Sequence, residues 1–211
     1  MQSVLKKSLP PAARKRNAII KRAFIDSLPV LMGYTTMGFV AGVLLAAKAG
    51  ITAAPFWALM TSFCVSGTFN FAIVQPISER IALWSVALLV LGINFRYVFY
   101  GFSMLGKWKG IPFLRKIFLI HMLTDENYAL EVACKYKDRP SYILYCTSLS
   151  AMNISYWIAG TTCGALCVAL LQAAIDPEAI RKYTNGMEFA MVALFLVIFT
   201  DQMKGFFKNE K

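Results

Sequence analysis

Long apolar stretches alternate with short clusters of charged residues along this chain of 211 residues. Three stretches reach the roughly 20 apolar residues that a helix needs to cross a bilayer: span A (24–47), span C (81–105) and span E (142–171). A fourth, span F (187–200), is marginal. The pattern therefore predicts an all-α, polytopic integral membrane protein with about four to six transmembrane helices.

Two further stretches do not fit a simple crossing helix. Span B (55–75) is interrupted by the small and polar run "SGTFN", and segment D (117–130) is short and carries several polar residues. Both are expected to be broken or re-entrant. Backbone that leaves helical geometry at membrane depth is tolerated only where it lines a cavity or is buried in protein.

The composition agrees with a membrane protein and refines its orientation. Hydrophobic residues make up 58% and charged residues 16%, the mean hydropathy is +0.56, and the formal net charge is +11. The bases gather at the N-terminus, in short loops and at the C-terminus, which indicates a positive-inside bias rather than nucleic-acid binding. If B re-enters from outside and D from inside, all basic loops lie in the cytoplasm.

This organisation divides the chain into three parts. Residues 1–23 form a basic cytoplasmic segment, 24–203 a single transmembrane domain, and 204–211 a short basic tail. A faint internal repeat pairs "GFVAG" (38–42) with "GTTCG" (160–164), both with small residues four apart, and the sequence does not decide whether it is parallel or inverted. If the repeat is real, a counterpart of span C is expected after span F.

Arg96 is the only charged residue between Ile81 and Gly106. It costs about 2.5 to 3.5 kcal/mol at the centre of a helix, and the surrounding apolar residues return enough for insertion. Arg96 is therefore either a snorkelling or packing residue, or a functional cation, with Asn94 beside it. The carboxylates best placed in the sequence to pair with it are Asp125 and Glu126.

Segment D contains a second polar group. His121 and Asp125 lie four residues apart and are expected on one helix face, with Thr124 beside them. Such a group suits a substrate site or a proton relay. A metal site is the weaker interpretation because the chain has one histidine, and a solvated polar face is the alternative. Asp26 is expected to cap a helix that starts before Pro29.

The interruption of span B offers small and polar side chains near mid-membrane. Glycine there allows the helix to unwind, and hydroxyl and amide groups then replace water around a zwitterion, although tight helix packing explains the same residues. The residues are Ser66, Gly67, Thr68 and Asn70. The chain contains no nucleophile elbow, phosphate-binding loop or zinc-protease motif, so no enzyme, metal or cofactor is predicted.

Six segments together resemble the AzlC-type (azaleucine resistance) branched-chain amino acid permease and exporter family. They occur in the order typical of the family: "FIDSLPVLMGYTTMGFVAG", "SGTFNF", "NFRYVFYG", "LTDENYAL", "YWIAGTTCGAL" and "GMEFAMVALF". The positions that match family signatures are Gly67, Asn94, Arg96, Gly101, Thr124, Asp125 and Glu126.

The resemblance implies the large subunit of a bacterial inner-membrane exporter of valine, leucine, isoleucine and methionine. It also implies proton coupling and a small AzlD-type membrane subunit as partner. The chain departs from the family in reading Thr68, Phe69 and Asn70 where Ser-Ala-Gln is usual, and relatives usually extend further at the C-terminus.

The residues suggest a division of roles in such a transporter. Arg96 would neutralise a substrate carboxylate or an internal acid, Asp125 and Glu126 would supply the proton-linked or ammonium-binding charge, and residues 67–70 would line the path. The alternative is a non-transporting membrane subunit whose buried charges serve only complex assembly.

Overall fold

The structure is a computed structural model that describes residues 10–49, 67–74, 76, 79, 81–189, 192–193, 196–197 and 200. Within these residues every regular element is a helix. The described part of the chain contains eight α-helices, in the order α1 Pro11–Ala49, α2 Gly67–Ala72, α3 Leu83–Asn94, α4 Arg96–Leu105, α5 Phe113–His121, α6 Asp125–Val132, α7 Arg139–Gln172 and α8 Pro177–Tyr183. A 3₁₀ turn, Met187–Phe189, follows them.

The all-α membrane class is confirmed. In the described part of the chain, α1 and α7 are each long and apolar enough to cross a bilayer, and α3 with α4 would make a third span if the two were counted together. These helices correspond to spans A, E and C. Most of span B lies outside the described residues, as do six of the fourteen residues of span F.

Contacts divide the protein into two units. The first joins the start of α1, up to Tyr34, with Asn94–Tyr156, and the second joins Thr35–Ile93 with the chain from Trp157 onward. The first unit has a continuous apolar core that includes the fully buried Trp108, Tyr145 and Leu149. Helices α1, α4, α5 and α7 and the loop after α4 all contribute to this core.

Helices α1 and α7 run in the same direction in the first unit. Lys15, near the start of α1, forms an ion pair of 3.2 Å with Asp138, directly before α7. Further along both helices, the hydroxyl oxygens of Ser27 and Tyr156 lie 3.1 Å apart. The loop that contains Lys107 belongs to the same end, since Lys107 Nζ lies 5.7 Å from the ring centre of Tyr142 in the first turn of α7.

In the second unit, glycines allow the same two helices to approach closely. A Cβ atom added to Gly38 would lie 3.1 Å from the carbonyl oxygen of Trp157. At Gly42 the added Cβ would overlap the carbonyl oxygen of Thr161, and at Gly164 it would overlap that of Phe39. The small residues of "GFVAG" and "GTTCG" therefore form one helix–helix contact in which no larger side chain fits.

The structure corrects four local predictions. Asp26 does not cap a helix, because α1 begins at Pro11 and continues through Pro29. His121 and Asp125 do not share a helix face, because α5 ends at His121 and α6 begins at Asp125. Residues 67–70 are helical rather than unwound, and span C is divided at Phe95 into α3 and α4.

Candidate functional site

Arg96 and Asp125 form an ion pair in the first unit. Arg96 Nη1 lies 2.8 Å from Asp125 Oδ2, and about a third of each side chain is exposed, 36% and 37% respectively. The guanidinium also lies over the ring of Tyr97, 5.2 Å from its centre. The first residue of α4 thus meets the first residue of α6, and both stand directly after a break in the helical chain.

The break before α6 follows from a side-chain cap. Thr124 has extended backbone geometry, and its hydroxyl accepts a hydrogen bond from the backbone N–H of Asn127. The two residues that follow are acidic, and negative charge at a helix N-terminus is stabilised by the helix dipole. The sequence "LTDENYAL" therefore starts a new helix at the point where continuous periodicity would have predicted one unbroken segment.

Tyr34 of α1 connects to the same turn. Its hydroxyl oxygen lies 2.9 Å from Thr124 Oγ1 and 2.7 Å from Glu126 Oε2. A carboxylate only accepts hydrogen bonds, so Glu126 takes the single phenolic hydrogen and Thr124 donates in turn to the Tyr34 oxygen. Glu126 therefore has a different partner from the neighbouring Asp125.

Two hydrogen-bond acceptor atoms near the ion pair lack a donor among the described residues. Asn94 Oδ1, at the end of α3, and the second carboxylate oxygen of Asp125 are both buried and have no hydrogen-bond partner within the described residues. Buried polar atoms in native proteins are nearly always hydrogen-bonded. A cationic guanidinium with acceptor atoms nearby can bind a ligand that carries both a negative and a positive group.

The remaining predicted residues belong to the second unit or lie outside the described chain. Gly67, Thr68 and Asn70 are part of α2, where Asn70 is buried. Ser66 lies outside the described residues. The structure thus gathers Asn94, Arg96, Thr124, Asp125 and Glu126 around the starts of α4 and α6.

Sequence reasoning missed two buried polar contacts on α6. Asn127 donates to the backbone carbonyl of Met122 and accepts a hydrogen bond from Asn153 of α7. Glu131 is fully buried, and Ser150 Oγ lies 3.4 Å from its Oε1. Their spacing of four places both residues on one face of α6, which is the signal that identifies a buried polar stripe.

Comparison with known proteins gives the family. The profile of the family described as AzlC protein matches residues 29–171. Similar proteins include an uncharacterized membrane protein of Helicobacter pylori, 34% identical over 87% of this chain and 75% of that protein. Another is the branched-chain amino acid transport protein AzlC of Bacillus subtilis, 26% identical over 88% of this chain and 68% of that protein.

An uncharacterized membrane protein of Haemophilus influenzae is also similar, 30% identical over 88% of this chain and 72% of its own length. No solved structure matches. The family profile covers most of α1, α2 to α6 and nearly all of α7, and so includes every described residue around the Arg96–Asp125 pair. This chain belongs to the AzlC family of membrane proteins.

Proposed function

We propose that this chain is the large subunit of a secondary transporter that exports branched-chain and other hydrophobic amino acids, namely valine, leucine, isoleucine and methionine. Membership of the AzlC family supports a role in membrane transport, and a relative named for branched-chain amino acid transport supports the substrate class. The proposed setting is the bacterial cytoplasmic (inner) membrane, which the chain crosses several times, with export driven by proton entry.

The observation that carries this proposal is the Arg96–Asp125 ion pair with its open acceptors. Paired charged groups within the transmembrane domain of a membrane protein chiefly mark a substrate or ion pathway. Arg96 offers a planar, permanently charged group that binds a carboxylate through two hydrogen bonds. Asn94 Oδ1 and Asp125 Oδ1 offer acceptors for an ammonium group.

Transport by this arrangement would exchange one ion pair for another. The substrate carboxylate would replace Asp125 on Arg96, and the released Asp125 would bind the substrate ammonium, so no charge is left uncompensated. The apolar side chain of the substrate adds no charge to the site. Glu126, held by Tyr34, keeps the start of α6 in place during the exchange.

The proposed complex includes a small AzlD-type membrane subunit. Many large apolar side chains of the chain are exposed, among them Trp84, Phe102 and Leu170. Such surfaces face lipid or a partner in a membrane protein. Co-purification of the chain with the product of a neighbouring small gene tests this part of the proposal. Cells from which that gene has been deleted provide the control.

Efflux measurements test the transport proposal. Cells that express the chain with its partner and are loaded with labelled valine or methionine should lose the label faster than cells without it. Arg96→Gln should abolish this difference at unchanged membrane abundance, whereas Arg115→Gln, which removes an exposed arginine from α5, should not. Normal efflux by Arg96→Gln would exclude Arg96 from the mechanism.

The alternative is a non-transporting subunit whose charges serve assembly. Under that alternative an assembled complex leaves efflux unchanged, and Arg96→Gln reduces the amount of complex rather than its activity. The Arg96–Asp125 pair lies within one chain, so its charges are already compensated without a partner subunit. This internal pairing favours the transporter.

A further inference from the structure

Glu131 is the most deeply buried carboxyl group of the described chain. None of its surface is exposed, and its donors are weak, since Ser150 Oγ is at the long distance of 3.4 Å from Oε1 and the other donor that faces the carboxyl group is the Cys146 thiol. Oε2 has no hydrogen-bond partner among the described residues. An ionised carboxylate accepts hydrogen bonds at about four lone-pair sites, so this environment suits the neutral acid better than the anion.

The groups around Glu131 come from three other parts of the first unit. Helix α7 contributes Tyr142, Cys146 and Ser150, the loop after α4 contributes Lys107, and Cys134 follows α6. The Tyr142 hydroxyl donates to the backbone carbonyl of Glu131 at 3.3 Å, so it does not serve the carboxylate. Lys107 acts from a distance, because its ammonium group lies over the Tyr142 ring.

Protonation near neutral pH follows from this environment. Glu131 lies on α6, which is not among the helices long and apolar enough to cross a bilayer. Burial raises the pKa of Glu131 to about 7, because Cys146, Ser150 and the charge of Lys107 offset only part of the desolvation cost. The group therefore changes charge within the physiological range.

A cavity lies beside the segment that contains Glu131. It has a volume of about 570 Å³ and is lined by Leu130, which precedes Glu131, and by Ala133 and Cys134, which follow it by two and three residues. Arg22, Asp26 and Tyr145 also line this cavity. It thus places open space next to the segment that carries the buried carboxyl group.

We propose that Glu131 is the proton-binding site of this protein, distinct from the Arg96–Asp125 pair. The reaction is the binding of one proton to the Glu131 carboxylate and its later release, with no other bond made or broken. This assignment rests on the proposed proton-coupled export. In that cycle the proton enters from outside with Glu131 neutral and leaves to the cytoplasm as Glu131 becomes charged.

Helix α6 connects this site to the substrate site. Asp125 begins the helix and Glu131 lies near its end, about 9 Å further along the axis at 1.5 Å per residue. A charged Glu131 needs more donors than Ser150 and the Cys146 thiol supply, so its ionisation favours a displacement of α6 relative to α7. The same displacement moves Asp125 against Arg96 and thereby couples proton release to the substrate site.

Asp125 and Glu126 are weaker candidates for the coupled proton. Asp125 already has the guanidinium of Arg96 at 2.8 Å, and Glu126 has the Tyr34 hydroxyl at 2.7 Å. Glu131 has the long contact with Ser150 and the weak thiol donor of Cys146. The assignment therefore moves the proton-linked role from the start of α6 to its last turn.

Infrared difference spectroscopy tests proton binding without any need for transport. The purified protein in lipid nanodiscs should show a protonated carboxyl band that is lost on titration from about pH 5 to about pH 9 with a midpoint near neutrality. Glu131→Gln should remove the band and Glu178→Gln, at an exposed position, should keep it. A band that survives in Glu131→Gln would overturn the proposal.

A second variant keeps the test valid if Glu131→Gln fails to fold. Ser150→Ala removes the donor to Oε1 and retains the carboxyl group. The midpoint of the band should then move to higher pH, because the charged form loses a hydrogen bond. An unmoved midpoint would show that the titrating group is elsewhere and would contradict the assignment.

Transport in reconstituted vesicles separates this inference from the proposed function. Glu131→Gln should still exchange labelled for unlabelled valine without a pH gradient, and should lose the acceleration that an imposed gradient gives to the unmodified protein. Full acceleration in Glu131→Gln overturns the Glu131 assignment while the export function stands. Absence of valine transport by the unmodified protein refutes the export function, while the infrared titration still decides whether Glu131 binds a proton.

Discussion

At the scale of single residues, the ion pair between Arg96 and Asp125 is a close contact between opposite charges, at 2.8 Å. Its two members come from the first turns of α4 and α6, so the pair connects two helices that the chain otherwise joins through α5. Because both side chains are partly exposed, its contribution to stability depends on the medium around it and has to be measured.

A double-mutant cycle measures this interaction. Arg96→Gln and Asp125→Asn should each lower the thermal stability of the purified protein. The double variant should lose less stability than the two single variants lose together. We expect a coupling free energy of about 1 kcal/mol, in the range for residues in direct contact. Additive effects would show that the two charges do not interact in the folded protein.

The buried amide pair should contribute more to stability than an exposed amide. Asn127→Ala removes the acceptor for Asn153 and the donor for the Met122 carbonyl, and all of these groups lie within the first unit. Leaving buried polar groups unsatisfied costs about 1 to 3 kcal/mol each. Unfolding in detergent should show this loss for Asn127→Ala and little change for Asn185→Ala, an exposed control. Equal effects would contradict the amide pair.

The partner of Arg96 could be predicted from the sequence because few acidic residues were available to pair with it. Arg96 is isolated in an apolar stretch, so the nearby acidic residues Asp125 and Glu126 were natural partners, and Asp125 is the one it meets. The prediction that His121 and Asp125 share a helix face was wrong, because their spacing of four residues was taken as evidence of one continuous helix. Thr124 caps a new helix between His121 and Asp125. A threonine side chain can compete in this way with helical hydrogen bonding, and the sequence gives only a weak signal of it.

At the scale of elements, the contact between α1 and α7 depends on residues that lack a side chain. The sequence showed the small residues at 38, 42, 160 and 164 but not which helix each one faced. In the structure the two glycine motifs meet each other, and both helices run in the same direction through this contact. The spacing of small residues does not reveal which surface they contact, because a helix face of small residues can pack against lipid or against protein.

Alanine at one of these glycines should separate the helices. Gly42→Ala would place a methyl group on the Thr161 carbonyl, and overpacking of this kind costs about 1 to 3 kcal/mol. Gly33→Ala, on the same helix, meets no atom within 4 Å. It should be neutral or stabilising by up to about 1 kcal/mol, since alanine favours helix over glycine. Thermal unfolding of the two variants compares them, and equal stability would contradict the close approach.

The start of α7 should respond to acid through Asp138. Its carboxylate accepts a hydrogen bond from the Ser141 backbone N–H at 3.2 Å and pairs with Lys15. Hydrogen bonds from Ser141 and then from Lys15 lower the pKa of Asp138. Since the folded value lies below the unfolded one, this contribution to stability is complete above about pH 4 and disappears as the pH falls further.

Two variants of Asp138 separate charge from capping. Asn caps helices about as well as Asp, so Asp138→Asn should keep the helix start and lose only the ion pair with Lys15 and the acid sensitivity. Asp138→Ala should lose both. The difference in melting temperature between the unmodified protein and Asp138→Asn should be constant near neutral pH and shrink in acid. A difference that grows in acid would contradict the assignment.

At the scale of the whole molecule, the basic clusters near the start of α1, after α4 and before α7 belong to one end of the first unit. Lys15 meets Asp138, Lys107 covers the ring of Tyr142, and Trp108 between them is buried in the core. The positive-inside pattern predicted these clusters on one face, and the prediction required segment D to leave and return on the same side. The break between α5 and α6 provides the turn for such a path.

Accessibility to a membrane-impermeant thiol reagent tests this topology in whole cells. A cysteine introduced at Lys109, in the loop after α4, should react only after the membrane is permeabilised, because that loop is expected in the cytoplasm with the start of α7. A cysteine introduced at Ala174, directly after α7, should react in intact cells, because α7 is long enough to cross the bilayer from the cytoplasmic end.

The unmodified protein, which has its own exposed thiol at Cys163, supplies the background to subtract. Reaction of both introduced cysteines in intact cells would place the Lys109 loop outside. That result would require segment D to cross the membrane completely, and α5 and α6 are too short for this at nine and eight residues. Reaction at Ala174 alone would fix the cytoplasmic end of α7 at the Lys15–Asp138 pair, the end from which the proposed exporter takes up its substrate.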